Sequence, residues 1–209
     1  MSTVSLLPDT LNKLNSYQGI LTIDKFIEYA GNNSILFMIW LLSIPTSIPT
    51  PPLGPEHMPF AFIQWSLIFQ LWFGSSKIWI PSFAKQIKID TRTYKYKTAI
   101  EKIKNVVSFF STKKNRHINT ILFGKVGEII FGLNVLLMAF LMFIPVPLTN
   151  VIPSMMVTIT SFGFLLQNPF ILLFGYVLSF FVFIMYFYIL KWCFKWVMYF
   201  YTYKFKSLF

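Results

Sequence analysis

Apolar residues in this chain gather into long blocks that prolines, rather than charges, interrupt. Two blocks approach the ~20 residues that span a hydrocarbon layer, one within a helix predicted from about Asn119 to Ile144 and one from Phe170 to Leu190. Three shorter blocks, Ser34 to Ile44, Phe60 to Phe73 and Met155 to Leu166, are too brief to cross alone. Pro45, Pro49, Pro51, Pro52, Pro55 and Pro59 follow the first of them, and helix does not continue through such a run. Pro145, Pro147 and Pro153 stop the Asn119 helix in the same way. The pattern predicts two helix-break-helix units and then one continuous helix.

Elsewhere the apolar positions are one-sided. Thr22 is placed to cap a short helix on which Ile23, Phe26, Ile27 and Ala30 share a face, with Asp24 in the first turn and Gly31-Asn32-Asn33 ending it. That is an interfacial helix. Between Lys77 and Arg116, Ala99, Ile100, Ile103, Val106, Val107 and Phe110 recur at helical spacing while Lys97, Glu101, Lys102 and Lys104 fall off the stripe. This predicts an amphipathic helix lying on anionic lipid. Trp192, Trp196, Tyr199 and Tyr203 interleave with Lys191, Lys195, Lys204 and Lys206, as in an interfacial aromatic belt.

The chain therefore divides into an N-terminal interfacial segment (1–33), a first membrane unit (34–76), a basic loop (77–118), a second membrane unit with a final transmembrane helix (119–190), and a basic aromatic tail (191–209). The fold class expected is all-α: a polytopic integral membrane protein with two helix-proline break-helix repeats, whose proline loops are either re-entrant or surface hairpin tips, and interfacial amphipathic helices.

Composition narrows the solvent. Of 209 residues 56% are hydrophobic and only 12% charged, whereas soluble domains keep roughly 25% charged. With 18 Lys+Arg against 7 Asp+Glu the formal charge is +11, and eleven of the basic residues lie between Lys77 and Arg116. Tyr94 and Tyr96 stand among Arg92, Lys95 and Lys97, but attraction of ~1 kcal/mol per basic residue to anionic lipid accounts for the excess, and no nucleic acid is expected as a partner. Cys193 alone builds neither a disulfide nor a thiolate metal site. The acidic residues Asp9, Asp24 and Glu28 and the missing small-residue cleavage pattern argue against a cleaved signal peptide.

Ile48-Pro49-Thr50-Pro51-Pro52 and Ile144-Pro145-Val146-Pro147-Leu148 read as two versions of one unit, each followed by a short apolar block ending in glutamine, Gln70 and Gln167. Paired broken helices of this kind, often inverted repeats, mark transporter binding regions. With the basic loop cytoplasmic, a re-entrant Met155 to Leu166 block returns the C-terminal lysines to that same side.

At these proline stretches the chain resembles the ExoD family of exopolysaccharide-synthesis membrane proteins. Ile44-Pro45-Thr46-Ser47-Ile48-Pro49-Thr50-Pro51-Pro52, then Gln70, then Trp79-Ile80-Pro81 follow that family's first hairpin, and Pro145, Pro147, Asn150 and Pro153 match its later signature in register. Thr46 stands where the family carries asparagine, and Gly54 comes one place late. The resemblance implies a multi-pass protein of the bacterial inner (plasma) membrane linked to exopolysaccharide production. It brings no settled activity.

Glu56 and His57 could relay protons were their loop at mid-membrane, but a solvated hairpin tip is the plainer account. Lys125 and Glu128 read as an interfacial i,i+3 pair, and His117 beside Arg116 as solvated loop. The substrate-binding region is expected at Pro49, Pro51, Pro52, Gln70, Pro145, Pro147, Asn150, Pro153 and Gln167, where the amides either cap a broken helix or bind substrate. No nucleophile-base pair, phosphate loop or metal-spaced cluster is visible, so neither enzyme activity, cofactor nor metal is expected. The sequence favours a small transporter or translocator of an anionic or lipid-linked substrate, with a homodimer and anionic membrane lipid as partners. A membrane scaffold for polysaccharide-synthesis machinery, or an enzyme on lipid-linked sugars, are the other readings.

Overall fold

The computed structural model describes residues 11–12, 15–17, 19–31, 34–48, 57–74, 79, 88–110, 121–144 and 150–206. Pro49, Pro51, Pro52, Glu56, Pro145 and Pro147 lie outside the described residues. Among the described residues, helices α1 (Ile23–Ala30), α2 (Ser34–Thr46), α3 (His57–Phe73), α4 (Tyr94–Phe110), α5 (Lys125–Met142), α6 (Val151–Leu166) and α7 (Pro169–Lys206) are joined by strands β1 (Ile20–Thr22) and β2 (Lys88–Asp90).

Helix α1 forms where its cap predicts: Thr22 Oγ1 accepts the Lys25 N–H at 3.4 Å, and Gly31 ends the helix at φ 56°. Phe26 and Ala30 are buried, and the Phe26 ring meets Phe37 edge-on at 4.9 Å, so α1 lies across the start of α2. The ribbon is an addition to the all-α expectation. Strands β1 and β2 pair antiparallel with Ile20 opposite Asp90, and Gly19 N–H donates to Thr91 Oγ1 at 3.0 Å. Three residues per strand are too few to leave an alternating signal. Beside the ribbon, the Arg92 backbone N–H and then its side chain hold the Asp90 carboxyl below the usual carboxylate range.

Four helices make the core: α2 packs on α3 and α6, and α5 on α3 and α6. The pairings fix their directions. Trp65 Nε1 donates to Leu136 O at 3.2 Å and Trp72 Nε1 to Glu128 O at 3.5 Å, so α3 and α5 are antiparallel. Trp40 stacks on Phe162, and Ser154 Oγ donates to Ser43 O at 3.1 Å, so α2 and α6 are antiparallel as well. Phe131 lies 4.7 Å from Phe164, which brings the end of α6 back beside the earlier part of α5. The helix ends on either side of both breaks therefore lie at one end of the bundle. The hairpins run in the same direction, as parallel repeats related by an axis along the bundle, where the sequence pattern pointed to inverted ones.

Prolines place the helix ends. Pro59 and Pro153 are each the third residue of a second arm, where the missing N–H is an orphan in any case. Helix α6 accordingly starts four residues before the apolar block that predicted it. Pro45 is the penultimate residue of α2.

Helix α7 begins beside the far end of α6. Asn168 Oδ1 accepts from the N–H groups of Phe170 and Ile171 at 3.0 and 3.3 Å, and its Nδ2 donates to Phe110 O at 2.7 Å. One buried amide thus caps α7 and holds the end of α4. A Cβ on Gly163 would stand 2.7 Å from Leu172 N, so glycine sets how closely α6 and α7 approach. From there α7 runs 38 residues, about 57 Å, past the break end. Its tail lies at the opposite end of the bundle from the end of α4, unlike the common side expected, because α6 runs from the break end back to the end beside α4, where α7 starts.

Helices α5 and α7 are long and apolar enough to cross a membrane. Their outer faces expose Val126, Ile130, Leu133, Phe140, Phe174, Phe181 and Phe187, and α3 exposes Phe62, Phe69 and Phe73. An exterior this apolar requires a cover other than water.

Two stability outcomes follow from these contacts. Asn168→Ala removes a cap worth about 0.5–2 kcal/mol and the bond from its Nδ2 to the Phe110 carbonyl, so thermal melting drops and limited proteolysis releases the α4 segment first. Gly163→Val forces α6 from the α7 backbone and lowers the melting temperature more than Ser108→Val on the exposed side of α4. Equal losses for these two variants would refute close α6–α7 packing.

Candidate functional site: a polar layer near the break ends

The end of α2 and the start of α6 meet through hydroxyls. Ser43 and Ser47 are four apart, as are Ser154 and Thr158, so each pair shares one helix face. Ser47 Oγ lies 2.7 Å from Thr158 Oγ1 and 3.3 Å from Ser154 Oγ, and the Thr46 and Ser154 hydroxyls are hydrogen-bonded. Their common acceptor is the Ser43 carbonyl, reached by Ser47 N–H at 3.0 Å, Ser47 Oγ at 2.6 Å, Thr46 Oγ1 at 3.0 Å and Ser154 Oγ at 3.1 Å. The Ser43 carbonyl thus keeps an i+4 backbone partner, and hydroxyls of both helices add to it in a last turn where carbonyls are otherwise poorly satisfied. Ser43, Thr46 and Ser154 are all buried.

The other two core helices add polar groups at a similar height. Gln64 on α3 is 0% exposed, and neither its Nε2 nor its Oε1 has a hydrogen-bond partner. Asn134 Oδ1 on α5 is likewise buried and unpartnered. The Trp65 bond to Leu136 sets Gln64 beside the middle of α5, and counting along the antiparallel helices from the Phe131 contact with Phe164 sets Leu136 near Ile159 and Asn134 near Ser161. Each helix of the four therefore carries a polar side chain with buried atoms within about two turns, roughly 10 Å, of the Ser43–Ser154 contact. An orphaned buried amide costs about 1–3 kcal/mol.

The sequence-predicted residues scatter around this layer. Asn150 stands at the start of α6 in a right-handed helical conformation; its side chain caps nothing, and its buried Oδ1 has no partner. Pro153 is buried in the first turn beside Ser154. Gln70 is engaged elsewhere: its Oε1 accepts Trp79 N–H at 2.5 Å, and its Nε2 donates to Ser66 O at 3.2 Å and Trp79 O at 3.3 Å. It pins the chain leaving α3. Gln167 closes α6 at the opposite end, in the left-handed conformation with φ 52°. His57 opens α3, while Lys125 and Glu128 begin α5 far from the layer and form no salt bridge with each other. Among the described residues no three of His, Cys, Asp and Glu come together.

Sequence reasoning passed over Ser43, Ser47, Gln64, Asn134, Ser154, Thr158 and Asn168. A signal was present. Hydroxyls four apart inside apolar blocks, and a glutamine in mid-block, are the polar residues least expected among apolar neighbours. Thr46, noted as a departure from the family pattern, is itself a member of the layer.

The sequence profile described as "Exopolysaccharide synthesis, ExoD" matches residues 5–188. The uncharacterized protein slr1875 of Synechocystis sp. (strain ATCC 27184 / PCC 6803 / Kazusa) is 29% identical over 125 residues, 59% of this chain and 57% of that protein. The matched stretch thus spans little more than half of that relative. No solved structure matches. With the profile running through both hairpins and into α7, the chain belongs to the ExoD family.

Proposed function

We propose that this protein is a small, non-catalytic translocator of an anionic or lipid-linked intermediate of exopolysaccharide synthesis, acting in several passes through a bacterial inner membrane. The observation that carries the reading is the polar layer, to which all four core helices contribute and in which Gln64, Asn134 and Asn150 keep unanswered polar atoms. Polar groups held this way among apolar helices mark pathways and binding regions in membrane proteins. Helices α2, α3 and α6, of 13, 17 and 16 residues, are about 20–26 Å long and fall short of a ~30 Å hydrocarbon layer. That supports hairpins entering from the basic end as re-entrant units, with anionic lipid against α1 and α4. A second copy along the exposed face of α7 would enclose the path more fully.

The scaffold reading draws on one feature, the exposed Trp192, Trp196, Tyr199 and Tyr203 of α7, on which a synthase subunit could dock. Reconstitution separates the two. Proteoliposomes holding the purified chain move a fluorescent lipid-linked sugar phosphate between leaflets if the protein is a translocator, and do not if it is a scaffold.

Two substitutions sharpen that test. Gln64→Met removes an orphaned amide at nearly constant volume, so it raises stability by about 1–3 kcal/mol while reducing flux and complementation of exopolysaccharide production. Gain of stability with full activity would leave Gln64 without a role. Asn150→Ala leaves the melting temperature near wild type, because no cap bond is lost, and impairs the same complementation. Full complementation by this variant, or outright misfolding, would remove Asn150 from the substrate path.

A further inference from the structure

We infer that the hydroxyl seam between α2 and α6 is a binding site for a monovalent alkali cation of the sodium class. The inference deepens the translocator reading by giving it a coupling ion, and it rests on that reading for its purpose.

The donor set is oxygen throughout: the Ser43 carbonyl with Thr46 Oγ1, Ser47 Oγ, Ser154 Oγ and Thr158 Oγ1, linked by contacts of up to 3.3 Å. Hard cations take such ligands, and carbonyls at the C-terminal end of a broken membrane helix are where coupling cations bind. The seam stands at the C-terminal end of α2, where the helix dipole adds partial negative charge.

The charge of the ligand follows from what the helices carry. Glu128 is the sole carboxylate on α2, α3, α5 and α6, and it lies in the first turn of α5, away from the seam. A divalent ion would bring two charges to neutral ligands. An anion would meet hydroxyls already turned toward the Ser43 carbonyl, with no cationic side chain beside them. A single positive charge suits neutral oxygens.

The test uses the purified full chain in nanodiscs, with thermal unfolding followed in sodium, potassium and choline chloride at equal ionic strength, and with radioactive sodium binding at equilibrium. The expected result is a saturable rise in melting temperature specific to sodium, matched by direct binding. Ser154→Ala weakens that binding on the order of tenfold, while Ser108→Ala, on the exposed side of α4, leaves it unchanged. Should Ser154→Ala fail to fold, the half-buried Thr158 is replaced by Val and the same loss is read. Identical melting in the three salts, absence of sodium binding, or binding untouched by either seam substitution overturns the site. Flux that persists with choline in place of sodium removes the coupling role and leaves translocation standing; sodium binding without flux does the reverse.

Discussion

A polar group buried among apolar helices must be met by another or its desolvation goes uncompensated, and Ser154 is where that demand organises this fold. Its hydroxyl donates to the last-turn carbonyl of Ser43 and bonds Thr46 across the helix contact, which ties the second arm of one hairpin to the first arm of the other. With α3 joined to α5 through Trp65 and Trp72, that tie brings the helix ends flanking both breaks to the same end. Two helix N-termini and two C-termini then alternate there. Their dipoles largely offset one another across the end as a whole, and each terminus acts only on what lies within a turn of it. Preference for an anion near Asn150 and for a cation near Ser43 can coexist for that reason, a short distance apart.

The opposite end is organised by charge and by amides already satisfied. The β1–β2 ribbon binds the segment before α1 to the basic stretch before α4, and Asn168 binds the end of α4 to the start of α7. Helix α4 turns Ile100 and Val107 inward but leaves Val106 and Phe109 exposed, so its apolar stripe is wider than the contact it makes. A lipid surface would accept the remainder. Helix α7 exceeds a ~30 Å hydrocarbon layer by about its Lys191 to Lys206 turns, whose aromatic and lysine residues are of the kind that anchors at a membrane interface.

How much of this was legible depended on local chemistry. Thr22, Gly31, the α4 stripe and the positions of both breaks could be read because caps, periodicity and proline act within a few residues. The direction of the hairpins could not, since it is decided by Ser154 meeting Ser43 and Trp65 meeting Leu136, contacts between residues 111 and 71 apart. The ribbon was too short to show a pattern. Of the residues chosen as a site, Asn150 and Pro153 lie beside the polar layer, whereas Gln70 and Gln167 serve chain ends and five prolines fall outside the described residues. Breaks were a sound guide to where the helices end and a poor one to which side chains face inward.

Amides divide the functional from the structural most clearly here, because all of them look alike in sequence. Asn168 is answered on both its oxygen and its nitrogen, and so is Gln70. Replacing either removes bonds the fold already uses. Gln64 is buried as deeply as any side chain in the protein and is answered on neither. A leucine there would satisfy packing without that penalty, so the amide gains nothing for the apolar core that surrounds it. What it offers is a donor and an acceptor held ready, at the level where three other helices also turn polar groups inward. The cost of that arrangement to the folded state is the physical reason to look for its use in the working one.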